Sequence, residues 1–248
     1  MCTVSWLINQ NGYQLFFNRD EQRSRSKALP PQHGNINGVA VIMPKDPDGG
    51  GSWISVNERG FSLCLLNFYQ GDMPSGSLYS RGQLLKSLSC CDDINAFNEQ
   101  LTLLDLECYA PFTILAFELY SGVKGYQWDG RKLVQLNVNS PLTSSSVMFD
   151  KVSAARINSY CASMNTSQQH ILYHSGHHPD KGYQSVCMHR SDAKTVSFSH
   201  ICVSSEQASF TYVDGSPCLY ASLDEDKKQY INHQSGLTLE RLSSPYLV

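Results

Sequence analysis

The chain has no long hydrophobic run. Its best candidate, Phe112 to Phe117, falls far short of the ~18 to 20 consecutive apolar residues of a spanning helix, so membrane insertion is not expected. No block of Lys or Arg occurs either. With a formal charge of −3 and a pI near 6.2, the chain lacks the basic stripe that engages nucleic-acid phosphates, and DNA and RNA are not expected partners. The opening residues, Met1 to Trp6, place no Lys or Arg before an apolar stretch that Asn9 to Gly12 soon ends, which is not the pattern of a secretory signal. The 9 cysteines form no C-x-x-C pair, and the adjacent Cys90 and Cys91 cannot easily bridge each other, so they read as reduced thiols of a cytoplasmic protein. Internal repeats and low-complexity tracts are absent.

What is present is an ordinary globular composition. Hydrophobic residues make up 41% and charged residues 17% of 248, enough for a substantial core within one domain spanning residues 1–248. Two short apolar stretches, Val4 to Ile8 and Tyr13 to Phe17, flank the turn signal Asn9-Gln10-Asn11-Gly12 and predict an opening β-hairpin. Gln22 to Pro31 and Pro44 to Ser52 read as loops, and Trp53 to Val56 with Phe61 to Phe68 as a second hairpin. Ser80 and Asp92 or Asp93 are placed to cap two helices with apolar faces at Leu84, Leu85 and Leu88 and at Phe97, Leu101 and Leu104. Phe112 to Leu119, Gly125 to Trp128 and Leu133 to Val138 are expected strands. Ser144 to Ser146 are expected to cap a helix from about Met148 to Met164. Ser185 to His189, Thr195 to Val203 and Ser209 to Tyr212 are expected to close the sheets. The order of elements fits an α+β fold with hairpin-built sheets and helices outside them.

Chemistry concentrates at the N-terminus. Initiator methionine is removed when a small side chain follows, so processing is expected to leave Cys2 first. Its α-amino group, ordinarily of pKa about 7.7 to 8, then lies beside its own thiol of about 8.5, joining base and nucleophile in one residue. Antiparallel pairing sets the end of the second strand, Asn18-Arg19-Asp20-Glu21, beside the start of the first. Arg19 can then favour the thiolate and Asp20 hold the amine, and Cys2 is expected to be the most acidic thiol once it is the terminus. His170, His174, His177 and His178 read as a solvated loop, Gly49 to Gly51 as a turn, and Trp53 as core or pocket wall; no metal site is expected.

Met1-Cys2, Phe17 to Glu21, Gly50-Gly51-Ser52-Trp53, Arg59-Gly60, Asn67-Phe68 and Ser80-Arg81-Gly82 together resemble the Transport and Golgi Organisation 2, or NRDE, family. Arg190 and Thr195 to Ser197 resemble a late strand of that family. More distantly, Cys2, Arg19, Asp20, Asn57 to Gly60 and Leu66 to Phe68 resemble the choloylglycine hydrolases, which are N-terminal cysteine amidases. That likeness implies a four-layer α-β-β-α sandwich of the N-terminal nucleophile hydrolase type, with Asn67 as oxyanion donor. The nearer family implies a protein that binds haem as cargo and passes it to haem-accepting proteins. Arg19, Arg81 and Arg190 would then meet propionates, and Asn18 and Trp53 would line the site. No C-x-x-C-H run is present for covalent haem attachment. The alternative is a cysteine amidase acting on a small acyl amide, with no catalytic cofactor.

Overall fold

The computed structural model describes residues 1–161, 163–221 and 236–241. The opening hairpin forms as β1 (Cys2–Asn9) and β2 (Gly12–Gln22), with Asn9 opposite Gly12. A second hairpin, β3 (Leu29–Ile36) and β4 (Val39–Lys45), turns on Asn37 and Gly38, both at positive φ. Pro30 and Pro31 lie inside β3, where a loop was expected. A strand tolerates them here because β3 is the edge of its sheet and its register slips between Leu29 and Gln32. The hairpin β5 (Ile54–Asn57) and β6 (Ser62–Asn67) forms as expected, as do α1 (Arg81–Leu88) and α2 (Ile94–Leu103), capped by the side chains of Ser80 and Asp93, except that Leu104 falls past the end of α2 and is exposed while Ile94 joins its buried face. A short 3₁₀ turn, Leu106–Cys108, then leads to β7 (Phe112–Glu118), β8 (Gly122–Trp128) and β9 (Leu133–Leu136).

Further along, β10 is Leu142–Ser144 and α3 is Phe149–Ser159. Ser144 to Ser146 do not cap α3: Ser144 pairs with Cys2 in β10, and the residue before the helix, Met148, sits in the left-handed region without a side-chain cap. The expected extension to Met164 stops at Ser159, and Ala162 lies outside the described residues. Of the four histidines expected in a loop, His177 and His178 lie in irregular chain but His170 and His174 lie on a helix. Thr166 and Gln169 form a reciprocal capping box that starts α4 (Ser167–Ser175), and His170 and His174, one turn apart, point into the protein. Ser185 to His189 is irregular rather than a strand. β11 (Ala193–Ser204), β12 (Gln207–Val213), α5 (Pro217–Ala221) and β13 (Leu237–Glu240) complete the described chain.

Among the described residues all strand pairs are antiparallel. They form a six-stranded sheet of order β10-β1-β2-β11-β12-β13 and a seven-stranded sheet running β3 through β9. Side chains alternate across each strand, and the alternation builds four layers. Leu15 and Phe17 of β2 meet Cys64 and Leu66 of β6 between the sheets. Leu63 and Leu65 of β6 face the other way, onto Leu84, Leu88 and Phe97 of α1 and α2. On the far side Phe16 and Phe198 pack with Ile171 of α4 and Tyr220 of α5. The result is an α-β-β-α sandwich.

Candidate active site

Cys2 begins an inner strand of the six-stranded sheet, flanked by β10 and β2. Cys2 pairs with Arg19 on one side and Ser144 on the other, and its backbone N–H donates to the Ser144 hydroxyl at 3.0 Å. It opens on a cleft of about 510 Å³, whose lining includes Arg19, Asp46, Trp53, Asn67, Tyr79 and Arg81. The loop before Trp53 forms one wall. A Cβ on Gly51 would run into the backbone of Gly82, so only glycine lets this loop lie against the start of α1, where the Ser52 N–H donates to the Gly82 carbonyl at 3.0 Å. Two motifs distant in sequence thereby become one rim.

Met1 lines the cleft beside Cys2. Its ammonium donates to the Asp20 carbonyl at 3.2 Å and to the Tyr69 hydroxyl at 3.4 Å, while the Asp20 N–H donates back to the Met1 carbonyl at 2.8 Å. Burial alone would lower this ammonium's pKa, but the surrounding Cys2, Tyr69 and Asp20 outweigh it and the net shift is upward. Burial pushes the Cys2 thiol up, although the Met1 ammonium and Arg19 pull it back. The thiol held below the usual range is Cys161, through its bond with Ser163. The expected acidity of Cys2 concerned a chain that starts at Cys2; with Met1 attached the order is different.

Arg19 is 6% exposed rather than in a surface loop. Its guanidinium lies 4.2 Å from the Trp53 ring centroid and pairs with Glu21 at 3.3 Å and Asp46 at 3.6 Å. Asp20 takes the opposite face of the strand. Its carboxylate accepts from Thr195 at 2.6 Å and from Arg156 at 3.3 Å, with both side chains of that ion pair fully buried. Burial raises the Asp20 carboxyl, against the pull of Arg156, the Met1 ammonium and Thr195. Arg156 also donates to the hydroxyls of Thr3 at 2.6 Å and Thr143 at 2.9 Å. Arg156 escaped sequence reading, as did Asp46. Its only signal is its place four residues after Val152, on the buried face of α3.

Asn67, at the end of β6, borders the cleft with its amide donating to Tyr69 at 2.9 Å. Arg81 also borders it, anchored on the Pro111 carbonyl at 2.8 Å and lowered in pKa by burial. Trp53 lines the cleft with its indole N–H buried and without a hydrogen-bond partner. Asn18 and Arg190 are not brought to it. The Asn18 amide turns to the helix layer, where it donates to the carbonyls of His174 at 2.8 Å and Val186 at 3.0 Å. Arg190 pairs with Asp192 on the surface.

This arrangement places a thiol, a terminal amine, a guanidinium and a side-chain amide around one polar cleft, the groups that nucleophilic acyl transfer uses. In fold the chain is similar to penicillin V acylase from Agrobacterium tumefaciens, with a TM-score of 0.51, 10% identity and 86% of each chain covered. It is similar also to a mutant of the conjugated bile acid hydrolase from Clostridium perfringens, with a TM-score of 0.51, 13% identity, and 86% of this chain and 92% of that chain covered. At such identities the likeness is one of fold, that of the N-terminal nucleophile hydrolases. No curated protein matches the chain in sequence. Residues 1–188 match the family model of Transport and Golgi organisation 2, and the chain belongs to that family.

Proposed function

We propose that this member of the Transport and Golgi organisation 2 family is an N-terminal cysteine amidase for a small polar acyl amide, latent until Met1 is removed. The carrying observation is the pairing of Cys2 with Arg19 at the cleft while the terminal ammonium is held on the Asp20 carbonyl. Removal of Met1 takes one residue from the cleft lining and makes the amine that of Cys2. In the proposed reaction that amine takes the thiol proton and the thiolate attacks the amide carbon. Asn67, released from Tyr69, donates to the oxyanion. The amine product leaves with a proton, and water hydrolyses the thioester to a carboxylic acid and free thiol. Arg156 and Thr195 would act as positioning residues, since they hold Asp20.

The composition of the cleft favours this reading over haem as cargo. A macrocycle needs broad apolar walls, whereas this lining is dominated by charged and hydroxyl-bearing residues, with Leu65, Leu78 and Ala110 among the few aliphatic ones. Of the cations, Arg19 is matched by Glu21 and Asp46, and Arg25 by Asp46 and Asp48, so neither stands ready for a propionate. The test is to prepare the chain with and without Met1, verified by intact mass, and to measure amine release from a panel of acyl amides. Turnover is expected only without Met1, is abolished in Cys2→Ser, and falls on the order of 10²- to 10³-fold in Asn67→Ala through loss of one oxyanion donor. Inertness of the processed chain across the panel, with haemin binding that weakens in Arg19→Ala, would overturn it.

A further inference from the structure

Away from the cleft, on the helix side of the six-stranded sheet, four metal-ligating side chains converge. They are His177, just after α4; Cys187 and His189, in the irregular segment before β11; and Cys218 on α5. Their donor atoms all lie within 4.8 Å of one another, with Cys187 fully buried and the others partly so. We propose that this cluster is a closed, tetrahedral Cys₂His₂ zinc site that fastens the segment between α4 and β11 to α5.

Geometry carries the proposal. A tetrahedral zinc, with bonds of about 2.3 Å to sulfur and 2.0 to 2.1 Å to nitrogen, sets sulfur and nitrogen donors roughly 3.5 Å apart. The His189 Nε2 stands 3.5 Å from the Cys187 sulfur and 3.5 Å from the Cys218 sulfur. His177 faces His189 with ring centroids 5.2 Å apart, and its own Nε2 is buried without a hydrogen-bond partner. Thiol-to-imidazole hydrogen bonds would span the same distances, but they leave that nitrogen unsatisfied. A metal satisfies all four donors at once. The charges fit as well, since two thiolates neutralise a divalent ion and a coordinating thiol is deprotonated outright even in a buried place.

Backbone bonds already hold the ligand segments together. The Cys187 N–H donates to the Gly176 carbonyl at 3.0 Å, and the His189 N–H to the Gly182 carbonyl at 3.2 Å. Between the two ligands, the Met188 N–H donates to the Thr195 hydroxyl at 2.8 Å, the same hydroxyl that donates to Asp20. With all four positions taken by protein, the ion has no open site for a substrate, and its role is to fix this irregular stretch. The proposed site departs from the expectation of no metal. Cys218 lies 29 residues beyond His189 in the chain, and no two ligands share the spacing of a zinc knuckle.

The test uses the whole chain, purified without chelator. Metal analysis is expected to return close to one zinc per chain, in wild type and equally in Cys2→Ala, which removes the cleft thiol. Cobalt replacement is expected to give the intense visible bands of a tetrahedral site and a thiolate charge-transfer band. Cys218→Ser and His177→Ala should each weaken zinc by more than about 100-fold, since loss of a mere outer hydrogen-bond partner can cost 10- to 100-fold. Metal-free wild type that shows no tetrahedral cobalt spectrum on titration would overturn the site. So would a Cys187–Cys218 disulfide in reductant-free protein that takes up no zinc after reduction, or zinc that is lost in Cys2→Ala.

Discussion

The end of β2 carries two unlike chemistries on its two faces. Arg19 and Glu21 turn to the cleft, where cations and acids are interleaved: Arg19 and Arg25 share Glu21 and Asp46, and Trp53 stacks beneath Arg19. Asn18 and Asp20 turn to the helix layer, where the Asn18 amide N–H groups donate to the carbonyls of His174 and Val186 and the buried Asp20 carboxylate is held by Arg156 of α3 and Thr195 of β11. The difference teaches that four adjacent residues need not form one site. The cleft face tolerates loss of a member because its partners are redundant and partly wet. The helix face does not, because its ion pair, Asp20 with Arg156, is fully buried and neither charge has a second ionic partner there.

Asp20→Asn is therefore expected to have the largest effect on stability. It keeps the shape of the side chain but leaves the Arg156 guanidinium, 0% exposed, as a buried cation without its carboxylate. Removing one partner of such a pair costs about 3 to 5 kcal/mol. Urea unfolding measures it. A loss below about 1 kcal/mol would mean that the hydroxyls of Thr3 and Thr143 suffice for Arg156, and the contrast between faces would fail.

Acid should attack the helix face next. His170 and His174 are buried against the Ser5 hydroxyl, at 2.7 and 2.9 Å, and Phe16 stacks on His170 at 4.6 Å. Burial holds His170 at about 4 and His174 well below its usual value, the latter further depressed by the nearby His170, Arg156 and His200. The folded values are lowered, so below about pH 6.5 the unfolded chain takes up protons that the folded chain refuses. Stability is thus intact above that pH and is lost as pH falls toward 4, with a limiting slope of about 1.4 kcal/mol per unit for each histidine. On the cleft side, the bond from Ser26 holds Asp48 below the ordinary carboxylate range, outside this window. A flat unfolding free energy between pH 6.5 and 4.5 would show that these imidazoles are charged in the folded state.

How much of this was legible in the sequence follows the same division. The turn at Asn9 to Gly12 sets the hairpin register, and register alone puts Arg19 opposite Cys2. Local cap chemistry at Ser80 and Asp93 likewise places α1 and α2. What stayed hidden depends on tertiary partners. Pro30 and Pro31 are strand residues only because β3 is an edge. His170 and His174 read as a solvated loop because Ser175, Gly176 and Pro179 signal one, and nothing local announces that Ser5 and Phe16 will receive their rings. Arg156 sits where the helical period asks for an apolar residue, and only its hydrogen bonds to Asp20, Thr3 and Thr143 explain it.

The smallest effects belong to the cleft face, and they separate redundancy from dedication. Arg19→Met keeps most of the stem that covers Trp53 but gives up the cation over the ring, a contribution of about 0.5 to 2 kcal/mol. Its acids are not orphaned, because Arg25 lies 2.5 Å from Asp46 and 3.6 Å from Glu21. The expected cost is about 1 to 2 kcal/mol, well under that of Asp20→Asn. Glu21→Gln should cost less still, within about 1 kcal/mol, since its side chain is 27% exposed and Arg19 retains Asp46 and Trp53. Paired urea unfolding of both variants decides the matter. If Glu21→Gln destabilised as much as Arg19→Met, Glu21 would be the dedicated counter-charge of Arg19. The cleft face would then follow the same rule as the helix face, and its tolerance would have to come from solvent rather than from shared partners.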